Sequence, residues 1–165
     1  MQPRDVDLLK RLRERASGAF PRATADSIAE AEEDLGFRLP RLLRAVYRLV
    51  GNGGFGPGHG LIGVGGTEPY TSGHESVVDL YEIRVHANRS VGSQSDSWPE
   101  KLLPICDYGC ASFAFADCSR RSARVLLFDA DVYPLPGEPF QKRLRVESGS
   151  LAEWFEEWLS KGQAR

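Results

Sequence analysis

The residues of this 165-residue chain whose types could carry chemistry are its cysteines, its histidines, a few carboxylates and a cluster of glycines. Cys106, Cys110 and Cys118 are spaced C-x3-C and C-x7-C. A structural zinc site needs two close pairs of cysteine or histidine. No second pair follows, and His59, His74 and His86 are scattered, so no metal is expected. Cys106 and Cys110 read as buried small hydrophobes. No residue beside any cysteine reads as an activating base, which disfavours Cys-His nucleophilic catalysis. Asp107 and Asp117 flank a hairpin and could face one cleft as paired carboxylates, although such residues more often cap turns. His59 sits among glycines and reads as a solvated or hydrogen-bonded turn residue rather than a base. Gly51, Gly53 and Gly56 have G-x-G-x-x-G spacing. A dinucleotide site needs that motif between a strand and a helix. Here it follows a helical pattern and runs on into Pro57-Gly58, so no nucleotide or other cofactor is expected.

The element that must position these groups is the loop 51–60, Gly-Asn-Gly-Gly-Phe-Gly-Pro-Gly-His-Gly. Six glycines and a proline in ten residues exclude helix and regular strand. Phe55 is its one aromatic residue and is expected to pin the loop onto the body of the protein. Before the loop, Leu39, Leu42, Leu43, Val46, Tyr47 and Val50 make the cleanest helical stripe in the chain, opened by Pro40. Arg41, Arg44 and Arg48 lie on its other side. A preceding helix, capped by Thr24 or Asp26 and ended by Gly36, buries Ile28, Ala31 and Leu35. Its opposite face carries Glu30, Glu32, Glu33 and Asp34, which reads first as a solvated face. These two helices are expected to pack together. A short amphipathic helix is expected over 5–16.

Beyond the loop, 61–64 reads as a short strand and 65–69 as a turn. Ser72 and Glu75 have capping-box spacing for a fourth helix containing Val77, Val78, Tyr81 and Val85. The serine-rich stretch 90–97 reads as a mobile loop. Strands are expected at 102–106, at 110–117 with Phe113 and Phe115 on one face, at 125–128 as a central strand, and at 143–146 as an edge. Asp107-Tyr108-Gly109 reads as a turn, and the prolines of 134–139 as an irregular loop. Ser150 and Glu153 open a last helix with Trp154 and Trp158 in the core. Trp98 either covers the sheet edge or stands exposed as a partner anchor. Helices and an antiparallel or mixed sheet segregated along the chain give a single α+β domain over 1–165, with a core of about 24–160 and the first helix appended.

At 41% hydrophobic and 27% charged residues the composition is that of an ordinary soluble globular domain. A net charge of −2 gives no support for nucleic-acid binding. No signal peptide or membrane-length apolar run is present, and three cysteines argue against a disulfide framework, so a cytoplasmic location is expected.

Several segments together resemble one family. Residues 30–39 read Glu-Ala-Glu-Glu-Asp-Leu-Gly-Phe-Arg-Leu, followed by Pro40. Tyr47 precedes the Asn-Gly-Gly-Phe-Gly-Pro loop, and Trp98-Pro99, Leu103-Pro104-Ile105-Cys106-Asp107-Tyr108-Gly109-Cys110, Asp117-Cys118 and Ser150-Leu151-Ala152-Glu153-Trp154 follow. This pattern resembles the SUKH superfamily, the group of bacterial immunity proteins and fungal cell-wall-synthesis regulators of the Smi and Knr type. The resemblance implies an α+β domain without catalytic residues or cofactor. It implies structural roles for Leu39, Pro40, Tyr47, Asn52, Gly53, Gly54, Phe55, Gly56, Pro57 and Trp154, with Asn52 and the loop backbone nearest a partner, and Gly51 is read with them as part of the structural loop. One departure stands out. Many members carry an acidic residue soon after the Leu-Pro, whereas this chain has Arg41, Arg44 and Arg48.

The resulting expectation is a protein-binding module of the immunity type, a monomer or weak homodimer, that covers the active cleft of a toxin domain such as a nuclease. It is not expected to be an enzyme, to contact nucleic acid directly or to meet a membrane. Its candidate contact residues are Glu30, Glu33, Asp34, Asn52, Trp98, Asp107 and Tyr108. The alternatives are a scaffold for an endogenous cytoplasmic protein and, third, a small hydrolase or nucleotide-dependent enzyme with polar groups converging in a deep pocket.

Overall fold

In the computed structural model, residues 3–16, 19–65, 75–90, 98–128 and 140–161 are described. The expected turn at 66–69, Ser72 and His74, the loop 91–97 and the prolines of 134–139 lie outside them. The helices are α1 (Pro3–Arg15), α2 (Ala25–Leu35), α3 (Arg41–Leu49), α4 (Val77–Ser90) and α5 (Leu151–Lys161). The strands are β1 (Gly60–Leu61), β2 (Leu102–Gly109), β3 (Ser112–Asp117), β4 (Val125–Phe128) and β5 (Leu144–Ser148), and a 3-10 turn (Phe140–Arg143) leads into β5.

Local chemistry sets the helix ends. Thr24 caps α2 and exchanges bonds with Ser27, each backbone N–H donating to the other's hydroxyl at 3.0 Å. Gly36 ends α2 in the left-handed region (φ 71). Ser76 opens α4. Its hydroxyl accepts from the Asp79 N–H at 3.2 Å, while Asp79 Oδ2 accepts from the Ser76 N–H at 2.8 Å. The capping box is therefore Ser76/Asp79, not the expected Ser72/Glu75, and the helix starts at Val77. At α5 the Ser150 hydroxyl accepts from the Glu153 N–H at 3.1 Å.

The five strands form one antiparallel sheet in sequence order, β1-β2-β3-β4-β5. The domain is α+β, and its pairings are all antiparallel, so the mixed alternative does not apply to the described strands. β4 is an inner strand and β5 lies at one end, as its sequence pattern suggests. Two expectations fail on β2. The strand does not stop at Cys106 but runs to Gly109, with register shifts near Ile105 and Tyr108. The turn falls on Cys110 and Ala111, both at positive φ (51 and 62). Cys110 is therefore exposed at a hairpin tip, not buried. The run 61–64 contributes only Leu61 to a strand, for reasons that belong to the glycine loop.

On the inner face of the sheet, Leu103, Ile105, Cys106, Ala114, Ala116 and Val125 meet Leu43, Val46, Tyr47, Leu151, Trp154 and Phe155 in the main core. Leu8, Leu9 and Leu12 of α1 are buried in that same core. On the outer face, Phe115 packs with Trp98, Leu102 and Leu126. The Arg84 guanidinium stands over the rings of Phe113, Trp98 and Phe115 at 5.1–5.9 Å. Burial lowers its pKa, and the π faces offset part of that cost. α2 leans mainly on α4, and α3 on α1 and α5. The apolar stripes of α2 and α3 share the main core, and a polar link joins the two helices as well. Glu32 Oε1 accepts from the Leu39 N–H at 2.9 Å and meets Arg44 at 3.0 Å. One of the five acidic residues of α2 therefore faces inward and holds the start of α3.

Candidate partner-binding site

The glycine loop is part of the architecture. Phe55 is 5% exposed, and its ring lies 6.2 Å from that of Trp158. Gly53, Gly54, Gly56, Gly58 and Gly60 all have positive φ. At Gly53 a Cβ would stand 2.6 Å from the Leu61 carbonyl oxygen, so only glycine permits this approach. The loop's amides turn inward. Gly51 donates to Val46 O, Asn52 to Pro21 O, Gly54 to Leu61 O, His59 to Asp107 O and Gly60 to Pro57 O. Those five N–H groups are committed within the fold, which leaves them unable to cradle a phosphate.

Asn52 is fully buried. Its Oδ1 accepts from the Val64 N–H at 2.9 Å and its Nδ2 donates to Gly65 O at 3.3 Å. The amide thus pairs with 64–65 as a neighbouring peptide group would. Tyr47 donates to Ile62 O at 2.7 Å. The apolar run 62–64 is held by these two side chains and by Ile62 N–H donating to Ile105 O at 2.9 Å, in place of a strand ladder.

Trp98, the other aromatic candidate, is buried against Phe115 and donates its indole N–H to Leu102 O at 2.9 Å. Asn52 and Trp98 therefore act from inside the domain. Asp107 and Tyr108 lie together where the loop meets β2, half-buried. Asp107 Oδ1 accepts from the Gly109 N–H at 2.7 Å, and Oδ2 lies 3.6 Å from His59 Nδ1. Tyr108 donates to Glu147 Oε1 at 2.7 Å, tying β2 to β5 across two intervening strands. Burial and the Glu147 carboxylate push the Tyr108 hydroxyl pKa up. Asp117 is opposite Leu102 at the far end of the hairpin, whereas Asp107 is opposite Phe113. By strand rise this separates the two carboxylates by roughly 16 Å. They do not face one cleft.

Glu30, Glu33 and Asp34 are exposed at i, i+3 and i+4 on α2, and none forms a salt bridge among the described residues. Glu30 and Asp34 border a groove of about 290 Å³ between α2 and α4, with Asp79 on its far side. Sequence reasoning missed Asp79. Its one signal was its place three residues after Ser76. The profile of the SMI1 / KNR4 family (SUKH-1) matches residues 22–161.

The chain belongs to the SMI1 / KNR4 family (SUKH-1).

The match spans α2 to α5 and so contains both the glycine loop and the acidic face of this SUKH domain. A search of curated proteins found no match to the chain. Among the described residues of the SUKH domain, no three acidic, cysteine or histidine side chains gather as metal ligands would, and no helix is long and apolar enough to cross a membrane. Burial, with Glu147 and Asp107 nearby, pushes the Cys106 thiol up. Burial and the neighbouring Asp117 push Cys118 up to about 12. Both therefore stay thiols at neutral pH and are poor nucleophiles. Cys106 Sγ instead donates to Pro57 O at 3.1 Å, fastening the loop to β2.

Proposed function

We propose that this protein is a non-catalytic immunity-type module that binds a toxin domain and covers its active cleft. Family membership across residues 22–161 carries the proposal. The contact face is the exposed stripe of Glu30, Glu33 and Asp34, with Asp79 across the groove. Exposed carboxylates without ion pairs among the described residues suit a basic partner surface, such as a cleft built to hold phosphates, and they speed encounter as well as setting register. Asp107 and Tyr108 form a second patch beside the loop.

The test is to co-purify the protein with the products of the genes neighbouring its own, then assay any toxin domain among them with and without it. The expected result is a stoichiometric complex that abolishes toxin activity and is weakened by the Glu30→Lys/Asp34→Lys double variant. Capture of an endogenous cytoplasmic protein alone would favour the scaffold reading. Turnover of a substrate by the protein itself would overturn the non-catalytic one.

A further inference from the structure

A second surface lies on the outer face of the sheet. There a groove of about 350 Å³ has an apolar wall that includes Pro99, Leu126, Leu144 and Val146. Val146 is 59% exposed, a large apolar side chain left open to water on the last strand of the described sheet. The other end of the groove is charged. Asp117 there takes Arg124 Nε at 2.9 Å and Arg120 Nε at 3.3 Å, so one carboxylate faces two guanidinium groups. Arg121 is exposed in the same turn and forms no salt bridge among the described residues. Lys101 is exposed between Glu100 and Leu102, which both line the groove. Of these groups Arg124, Glu100 and Asp117 line the groove itself, and the bordering segments 100–101 and 117–124 together carry four cations and two carboxylates, on a chain whose overall charge is −2.

We propose that this groove docks an acidic, extended segment of a partner protein, with its apolar side chains on the Leu126–Leu144–Val146 wall and its carboxylates on the 120–124 turn. The local excess of positive charge selects acidic over basic segments. Leu144 and Val146 are two residues apart on β5, so their spacing matches the alternate side chains of an extended chain running beside the strand. A nucleic-acid backbone would satisfy the cations but leave the apolar wall wet. The groove shares no lining residue with the one between α2 and α4, so this proposal stands or falls separately from the toxin-binding face.

The probe is a dye-labelled, end-capped peptide alternating glutamate and valine, titrated into the full chain by fluorescence anisotropy and mapped by amide NMR. Saturable, salt-sensitive binding is expected, with shifts confined to 99–102, 117–126 and 144–146. Val146→Asp and Arg120→Glu/Arg121→Glu should each weaken it about tenfold or more. Arg121→Glu alone, at a residue with no ion pair among the described residues, should weaken it measurably even if the double variant fails to fold. Glu30→Lys/Asp34→Lys should bind the peptide as the wild type does, which separates this site from the α2 face. No saturation by about 1 mM, equal binding of an alternating lysine and valine peptide, or shifts elsewhere would overturn the proposal. So would a dimer in sedimentation that Val146→Asp abolishes, because the groove would then belong to a second copy of the chain.

Discussion

The glycine loop 51–60 and the acidic stripe of α2 are both polar, and both read from sequence as candidate contact regions, yet they do opposite work. In the loop, Asn52 is fully buried and its amide stands in for a strand neighbour of 64–65. On α2, Glu30, Glu33 and Asp34 are exposed and form no salt bridge among the described residues. The difference lies in the backbone around each. A helix satisfies its own peptide groups, so its surface side chains are left over for other uses. A glycine-rich loop satisfies few of its own and must recruit side chains to do so. Asn52 is taken up by that need.

The comparison breaks most readily at Phe55. If the loop is interior architecture, Phe55→Ala removes a buried ring and should destabilise the domain by about 3–5 kcal/mol in urea unfolding. A change near zero would make the loop a surface feature after all. Asn52→Ala comes next. It strands the Val64 N–H and the Gly65 carbonyl and should cost about 3 kcal/mol. Loss of partner binding with unchanged stability would reverse its assignment.

Asp117 tests a polar cluster between these extremes. Burial favours its neutral form, but hydrogen bonds from Ser119 and Arg124 outweigh burial and hold its pKa below the ordinary 3.8. A carboxyl with a depressed pKa in the folded state stabilises the fold above its unfolded value. That stability is lost as pH falls through the lower folded value. Asp117→Asn should therefore cost about 2 kcal/mol at pH 7. The gap to the wild type should close only below the unfolded value of 3.8, in an unfolding series down the acid limb. The smallest effect belongs to α2. Glu30→Lys/Asp34→Lys should leave thermal stability within about 0.5 kcal/mol while weakening the proposed complex with a toxin domain. A large stability loss would move that stripe into the same category as the loop.

The sequence made the helices legible because their signals are local. The stripe from Leu39 to Val50 and the Ser150–Trp158 pattern need no tertiary context. Phe113 and Phe115 alternate with Ala114 and Ala116 as the sheet requires. Other features depend on distant partners. Cys110 and Ala111 have no special turn propensity, yet they take positive φ because the register shifts along β2 carry the strand past Asp107-Tyr108-Gly109. Glu32 looks like its acidic neighbours, and only the open amide of Leu39 and the guanidinium of Arg44 draw it inward. Trp98 could be read either way until Phe115 and the Leu102 carbonyl supplied both halves of its environment. Asp79 and Val146 carry no sequence signal for a surface role, since a groove is a property of the fold.

The kinship of the chain is recorded from Arg22 onward, but its folding does not begin there. Leu8, Leu9 and Leu12 fill the space beside α3 and α5, and Arg11 reaches Glu156 on α5. A polypeptide cut at the family boundary would bare the apolar surface of α3 and α5 that Leu8, Leu9 and Leu12 cover. The stretch that the family profile spans and the stretch that shares the core are here two different lengths, separated by one helix.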